Sequence, residues 1–182
     1  VKRMQTNLFL NSIINTTHFL NSTDSVIAWI RDRNRTVKVD VKKTTFDNLP
    51  GWSVDKQTGT IYHESGKFFT IEGVQIGVND DVRVKQWSQP IINQPEIGYL
   101  GFLVKKFNGV LHFLIQAKIE PGNVNNVQLS PTIQATRSNY KRVHKGKSTA
   151  YLEYFKDRKG TVLIDQLQSE QGARFFRKRN RN

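Results

Sequence analysis

At 182 residues the chain is long enough to bury roughly two-thirds of its unfolded surface around a core. It has no cysteine, which excludes disulfides, thiolate metal sites and a cysteine nucleophile, and no run approaches the ~18 consecutive apolar residues of a membrane-spanning helix. Lys and Arg number 28 against 15 Asp and Glu, a formal charge of +13, so the partners to weigh are anionic: nucleic acid, a membrane surface or a phosphorylated small molecule.

In chain order, the basic start Val1-Lys2-Arg3-Met4-Gln5 is followed by an apolar run that is short and broken by Asn11, Asn15 and Thr16, with no small-residue cleavage site. A secreted protein is not expected, and a cytoplasmic one is. Thr23 or Asp24 can cap a short helix whose Val26, Ile27, Trp29 and Ile30 form an apolar stripe, ending at Asp32, Arg33 and Asn34. Residues 1–50 therefore read as a helical N-terminal segment, and residues 51–182 as a sheet-rich core.

From Thr60 the pattern becomes β-rich, with strands expected at residues 60–63, 67–78, 98–107 and 110–119. Asn108-Gly109 between the last two tolerates the positive φ of a type I′ turn, which sets the register. Phe107 then faces Val110, Val104 faces Phe113, Phe102 faces Ile115 and Leu100 faces Ala117, and these apolar pairs are expected in the core. Leu103 with Leu114, Lys105 with His112, Gly101 with Gln116 and Tyr99 with Lys118 make the other face, which Glu120 continues. Such a mixed face can floor a binding site or be an ordinary solvated surface.

Glu120-Pro121-Gly122-Asn123 reads as a turn, and residues 127–134 as a strand that Pro131 confines to an edge or a bulge. Basic residues gather at Arg137, Lys141, Arg142, Lys145 and Lys147, and again at Arg174, Arg177, Lys178, Arg179 and Arg181, the second group having the composition of a solvated tail. Residues 161–168 alternate, Glu170-Gln171-Gly172 turns, and the adjacent Phe175 and Phe176 suggest a packing partner elsewhere in a larger protein. No repeat or long linker interrupts the chain, so one module is expected.

Trp87-Ser88-Gln89-Pro90-Ile91-Ile92-Asn93-Gln94-Pro95-Glu96-Ile97-Gly98, with residues 109–118, 120–124, 127–132, 134–140, 151–155 and 167–172, resembles the NDP-hexose 2,3-dehydratases of deoxysugar pathways. Gly51-Trp52-Ser53 and Ser65-Gly66-Lys67-Phe68-Phe69 are similar to segments of the same family. The resemblance implies an α+β fold: a Nudix-like module with a mixed, mostly antiparallel β-sheet flanked by helices. It also implies that residues 1–182 are the first of two tandem modules, in an N-terminal half, and that subunits pair as homodimers. No Arg-Glu then Glu-Glu metal box is present, so no metal and no diphosphate hydrolysis are expected.

The reaction implied is removal of water across C2 and C3 of an NDP-4-keto-6-deoxyhexose, with thymidine as the usual nucleoside. The C4 ketone acidifies the C3 proton and serves as electron sink, so no cofactor is implied. The protein must then supply a base, a donor to the enolate oxygen worth roughly 3–4 kcal/mol of barrier, and a grip on the diphosphate.

Arg137 suits the diphosphate by its planar, permanently charged fork, with Thr136, Ser138, Asn139 and Tyr140 as further donors. Trp52 offers a stacking face and Ser169 resembles a family ligand contact, though the one suits a core tryptophan and the other a capping serine equally well. Glu120, His112 and Tyr140 are the acid and base candidates by chemical type, with His144 and Lys118 behind them. Two other readings stand beside the enzyme: a nucleotide-sugar-binding half without activity, and a basic nucleic-acid binder. The second lacks any helix-turn-helix, zinc-finger or RNP pattern, so no nucleic acid and no membrane are expected as partners.

Overall fold

The computed structural model describes residues 2–15, 17–79, 83, 86–140 and 148–182. It is α+β with mostly antiparallel strands, and its contacts cluster into two compact units. Unit 1 takes residues 1–42, 100–134 and 150–165, and unit 2 takes residues 43–99, 135–149 and 166–182. Lys141, Arg142, His144, Lys145 and Lys147, named above, lie outside the described residues.

Unit 1 opens with α1 (Lys2–Ile14) and α2 (Thr23–Thr36). The first is not set apart within the helical segment read for residues 1–50: Asn11 breaks its apolar run, and Leu10, Ile13 and Ile14, spaced to share a face, are all exposed. Ser12 anchors it, accepting from the Leu111 N–H at 3.0 Å. The cap of α2 is Ser22, one residue before the expected Thr23, and its hydroxyl accepts from the Ser25 N–H at 3.1 Å. This helix is tied down by Asn34, whose amide exchanges two hydrogen bonds with the Val127 backbone at 2.8 and 2.9 Å.

The hairpin forms as counted close to its turn. Asn108 and Gly109 have φ of 48° and 83°, and β6 (Val104–Phe107) pairs with β7 (Val110–Phe113) in the expected register. The expected faces need correction. Side chains alternate, so the Phe107–Val110 pair shares a face with Lys105 and His112, and the Phe107 ring meets the His112 ring edge-on at 5.2 Å. The face expected in the core is half open, with Phe102 at 45% and Phe113 at 47% exposure, while Leu111 is buried.

The two long strands also break where one hairpin was expected. The Leu114 N–H still donates to the Leu103 carbonyl at 2.9 Å, but the reciprocal bond is replaced by the buried Thr132. Its hydroxyl accepts from the Leu103 N–H at 2.9 Å and donates to the Leu114 carbonyl. Beyond this wedge β8 (Ile115–Lys118) pairs with β9 (Gln128–Pro131), and Pro131 sits at the end of that edge strand, as its missing N–H requires. Ile133, the most buried residue of the described chain, follows directly.

Unit 2 holds a four-stranded antiparallel sheet in chain order: β1 (Trp52–Val54), β2 (Ile61–His63), β3 (Thr70–Gly77) and β4 (Gln86–Asn93). Pro90 masks β4 in the sequence, yet β4 is the outermost strand, where a missing N–H is tolerated. A second sheet runs in the order β10 (Ile133–Ala135), β5 (Gly98–Gly101), β12 (Arg179–Arg181) and β11 (Leu167–Ser169).

The basic C-terminal stretch is therefore not a solvated tail. Lys178 and Asn180 are buried, and β12 pairs antiparallel with β11 and parallel with β5. The backbone at the adjacent phenylalanines pairs within the chain: Phe175 bridges to Ile92, and the Phe176 N–H donates to the Ile92 carbonyl at 2.9 Å, while the Phe176 side chain stays exposed. Of the alternating residues 161–168, only Leu167 and Gln168 become strand.

Candidate functional site

A cavity of about 360 Å³ in unit 2 is lined by Trp52, His63, Phe68, Phe69, Gln94, Thr136, Ser138 and Asn139. Its aromatic wall is built by Trp52 of β1, His63 of β2, and Phe68 and Phe69 from the segment that leads into β3. The indole of Trp52 meets His63 edge-on at 5.4 Å and lies tilted against Phe69 at 5.1 Å, while His63 stands across Phe68 at 4.4 Å. Gly51 makes room for this cluster: at φ 78° a Cβ would sit 2.7 Å from His63 Nε2, so no side chain fits there.

The polar wall comes from α3 (Arg137–Tyr140), a single turn opened by Thr136. Glu96 satisfies its free donors from outside the turn. The Ser138 N–H donates to Glu96 Oε2 at 2.9 Å, the Ser138 hydroxyl donates to Oε1 at 3.1 Å, and the Gln94 amide donates to the same Oε1 at 3.2 Å. Thr136 Oγ1 lies 2.9 Å from Ser138 Oγ. Behind Glu96, the buried Lys178 donates from Nζ to the Glu96 main-chain carbonyl. Burial pushes its pKa below the ordinary value of 10.5, against the pull of Glu96 and Glu170.

Tyr140 packs its ring 5.9 Å from that of Tyr99. Burial is the main cause that raises its pKa above the ordinary 10.0; Tyr99 and Glu96 add to the rise and Arg137 opposes it. The phenol is protonated at neutral pH and suits donation rather than proton abstraction.

Trp52, Thr136, Ser138 and Asn139, singled out in the sequence, thus line one cavity. Arg137 belongs to the same turn but is exposed and does not line it. Ser169 is on β11, opposite Arg179, rather than in the turn that follows, and is exposed. His112 and Glu120 belong to unit 1. The His112 Nε2 accepts from the Leu20 N–H at 3.2 Å and Nδ1 lies 3.0 Å from the Val110 carbonyl, so both ring nitrogens serve the backbone. Glu120 pairs with Lys118 at 3.0 Å.

Sequence reasoning passed over Glu96, Gln94, His63 and Lys178 as site residues. Glu96 and Gln94 stood inside the longest family-like string, but nothing local marks a carboxylate that acts on a turn some forty residues away. Among the described residues no group of three His, Asp or Glu side chains is placed to hold a metal ion, and no helix is long and apolar enough to cross a membrane.

Comparison with known proteins gives one family. The sequence model described as NDP-hexose 2,3-dehydratase matches residues 23–182. The chain is 47% identical over 178 residues to the dTDP-4-dehydro-6-deoxy-alpha-D-glucopyranose 2,3-dehydratase of Saccharopolyspora spinosa, covering 97% of this chain and 36% of that relative. Proteins of the same description from Amycolatopsis orientalis and Streptomyces violaceoruber are 50% identical over 165 residues and 46% identical over 168 residues. These two alignments cover 88% and 90% of this chain, but 35% and 37% of the relatives. The chain thus spans a little over a third of the length of the curated relatives it matches.

Proposed function

We propose, since this chain belongs to the NDP-hexose 2,3-dehydratase family, that it binds a dTDP-linked 4-keto-6-deoxyhexose and forms part of the enzyme that removes water across C2 and C3. One observation carries the reading: a single cavity is lined by Trp52 from β1 and by Thr136, Ser138 and Asn139 from the turn that bears Arg137. Aromatic faces beside convergent polar groups are the usual composition of a small-ligand site.

In this reading Trp52 stacks on the nucleotide, and Arg137, exposed next to the cavity, holds the diphosphate by paired charge-assisted hydrogen bonds. Tyr140, whose phenol is protonated at neutral pH, is the candidate donor to the developing enolate or the leaving hydroxyl. The relatives are nearly three times as long as their match to this chain, which favours a chain that binds without completing turnover on its own. The same proposal takes the α+β architecture as a Nudix-like module, one of two in a homodimeric cytoplasmic enzyme.

Titration calorimetry of the chain with thymidine diphosphate tests it. Binding is expected, weakened about tenfold or more in Arg137→Ala, the scale of a charge-assisted hydrogen bond. Absence of heat with every nucleoside diphosphate tried overturns the proposal.

A further inference from the structure

The hydrogen-bond chain behind the cavity wall fixes the direction of its protons. As a carboxylate, Glu96 can only accept, so the single hydroxyl proton of Ser138 is spent on Oε1. Ser138 Oγ can then only accept from its other neighbour, 2.9 Å away, and the Thr136 proton is spent there. What Thr136 has left for a ligand in the cavity is lone pairs alone. The hydroxyls named in the sequence as donors to a diphosphate therefore have no proton free for it.

Phosphate oxygens also carry only lone pairs, so a diphosphate set against Thr136 would face acceptor with acceptor. A matching ligand donates at this point. It is also flat, because Trp52, His63, Phe68 and Phe69 make up half of the lining. The other polar groups with a proton to give are the amides of Gln94, whose Nε2 keeps a second proton after serving Glu96, and of Asn139, together with the His63 ring, whose Nδ1 accepts from the Ser65 N–H. An acceptor accompanied by two amide donors complements a ring N–H flanked by two carbonyls.

Resting on the nucleotide-sugar reading above, we infer that this cavity is the base subsite: it takes a pyrimidine whose N3 carries a proton, through Thr136 as acceptor, and leaves the diphosphate outside. Thr136 is a specificity-determining residue, and Glu96 acts through it by orienting the Glu96–Ser138–Thr136 chain. Thymine and uracil have the required imide edge, whereas cytosine presents a bare N3.

Calorimetric titration of the 182-residue chain with UDP and CDP tests this, because the two ligands share ribose and diphosphate and differ in the base edge. CDP is expected to bind about tenfold more weakly, the scale of one unmatched hydrogen-bonding group. Thr136→Val, close in shape, is expected to bring UDP down to the level of CDP, and Thr136→Ser to keep the preference. Equal affinities in the unaltered chain, or a preference that survives Thr136→Val, overturn the inference while leaving the nucleotide-sugar reading in place. Failure of both ligands and of thymidine diphosphate to bind overturns the two together. If Thr136→Val does not fold, the comparison in the unaltered chain decides alone.

Discussion

Ser138 turns both of its donors onto one carboxylate, its N–H reaching Glu96 Oε2 at 2.9 Å and its hydroxyl reaching Oε1 at 3.1 Å. The two residues come from separate stretches of unit 2, residues 43–99 and 135–149, and their pairing sets where the turn bearing Thr136, Arg137 and Asn139 stands. The carboxylate thus shapes the cavity without lining it.

Glu96→Gln should show this dependence. The amide keeps one accepting oxygen but opposes a donor to the second Ser138 proton, so a loss of about 1–3 kcal/mol is expected. Thermal unfolding together with hydrogen exchange at the Ser138 amide measures it. Unchanged stability with unchanged exchange would show that the turn stands without its carboxylate.

Thr132→Val removes the hydroxyl that stands in for one rung of the hairpin ladder, leaving the Leu103 N–H and the Leu114 carbonyl without that partner. The expected cost is about 2 kcal/mol, or roughly 4–8 °C in Tm for a chain of this size. Thr132→Ser, which keeps the hydroxyl, should recover most of it. A valine variant as stable as the parent would mean that the strands close up and restore the direct bond.

Lys178 gives a pH signature. Its pKa in the folded chain is depressed by burial, so between that value and the ordinary 10.5 the unfolded chain binds more protons. The lysine's contribution to stability therefore rises with pH through that window, and is lowest below it, where the ammonium is charged in both states. Denaturant unfolding of the parent and of Lys178→Met, from neutral pH to 10.5, isolates the effect, since other groups cancel in the difference. A difference that stays flat or falls with rising pH would contradict the burial of this ammonium.

What sequence alone determined here is what short-range sterics and chemical type decide. Asn108-Gly109 placed a turn and counted the register of four residue pairs, because positive φ is a property of two adjacent residues. The stripe of Val26, Ile27, Trp29 and Ile30 located a helix, and the long strings around Trp87 and Gln134 carried the family. Trp52, Thr136, Ser138 and Asn139 were legible as ligand-facing types, although not as neighbours.

Tertiary structure decided the rest, for a common reason: burial and pairing are set by partners distant along the chain. Residues 179–181 have the composition of a solvated tail, yet become a strand between β5 and β11 because two edges offer them hydrogen bonds. Residues 98–107 and 110–119 read as two continuous strands, yet divide where the buried hydroxyl of Thr132 enters from another segment. No local pattern announces that Glu96 will meet Ser138, and the proton direction at Thr136 follows only from that meeting.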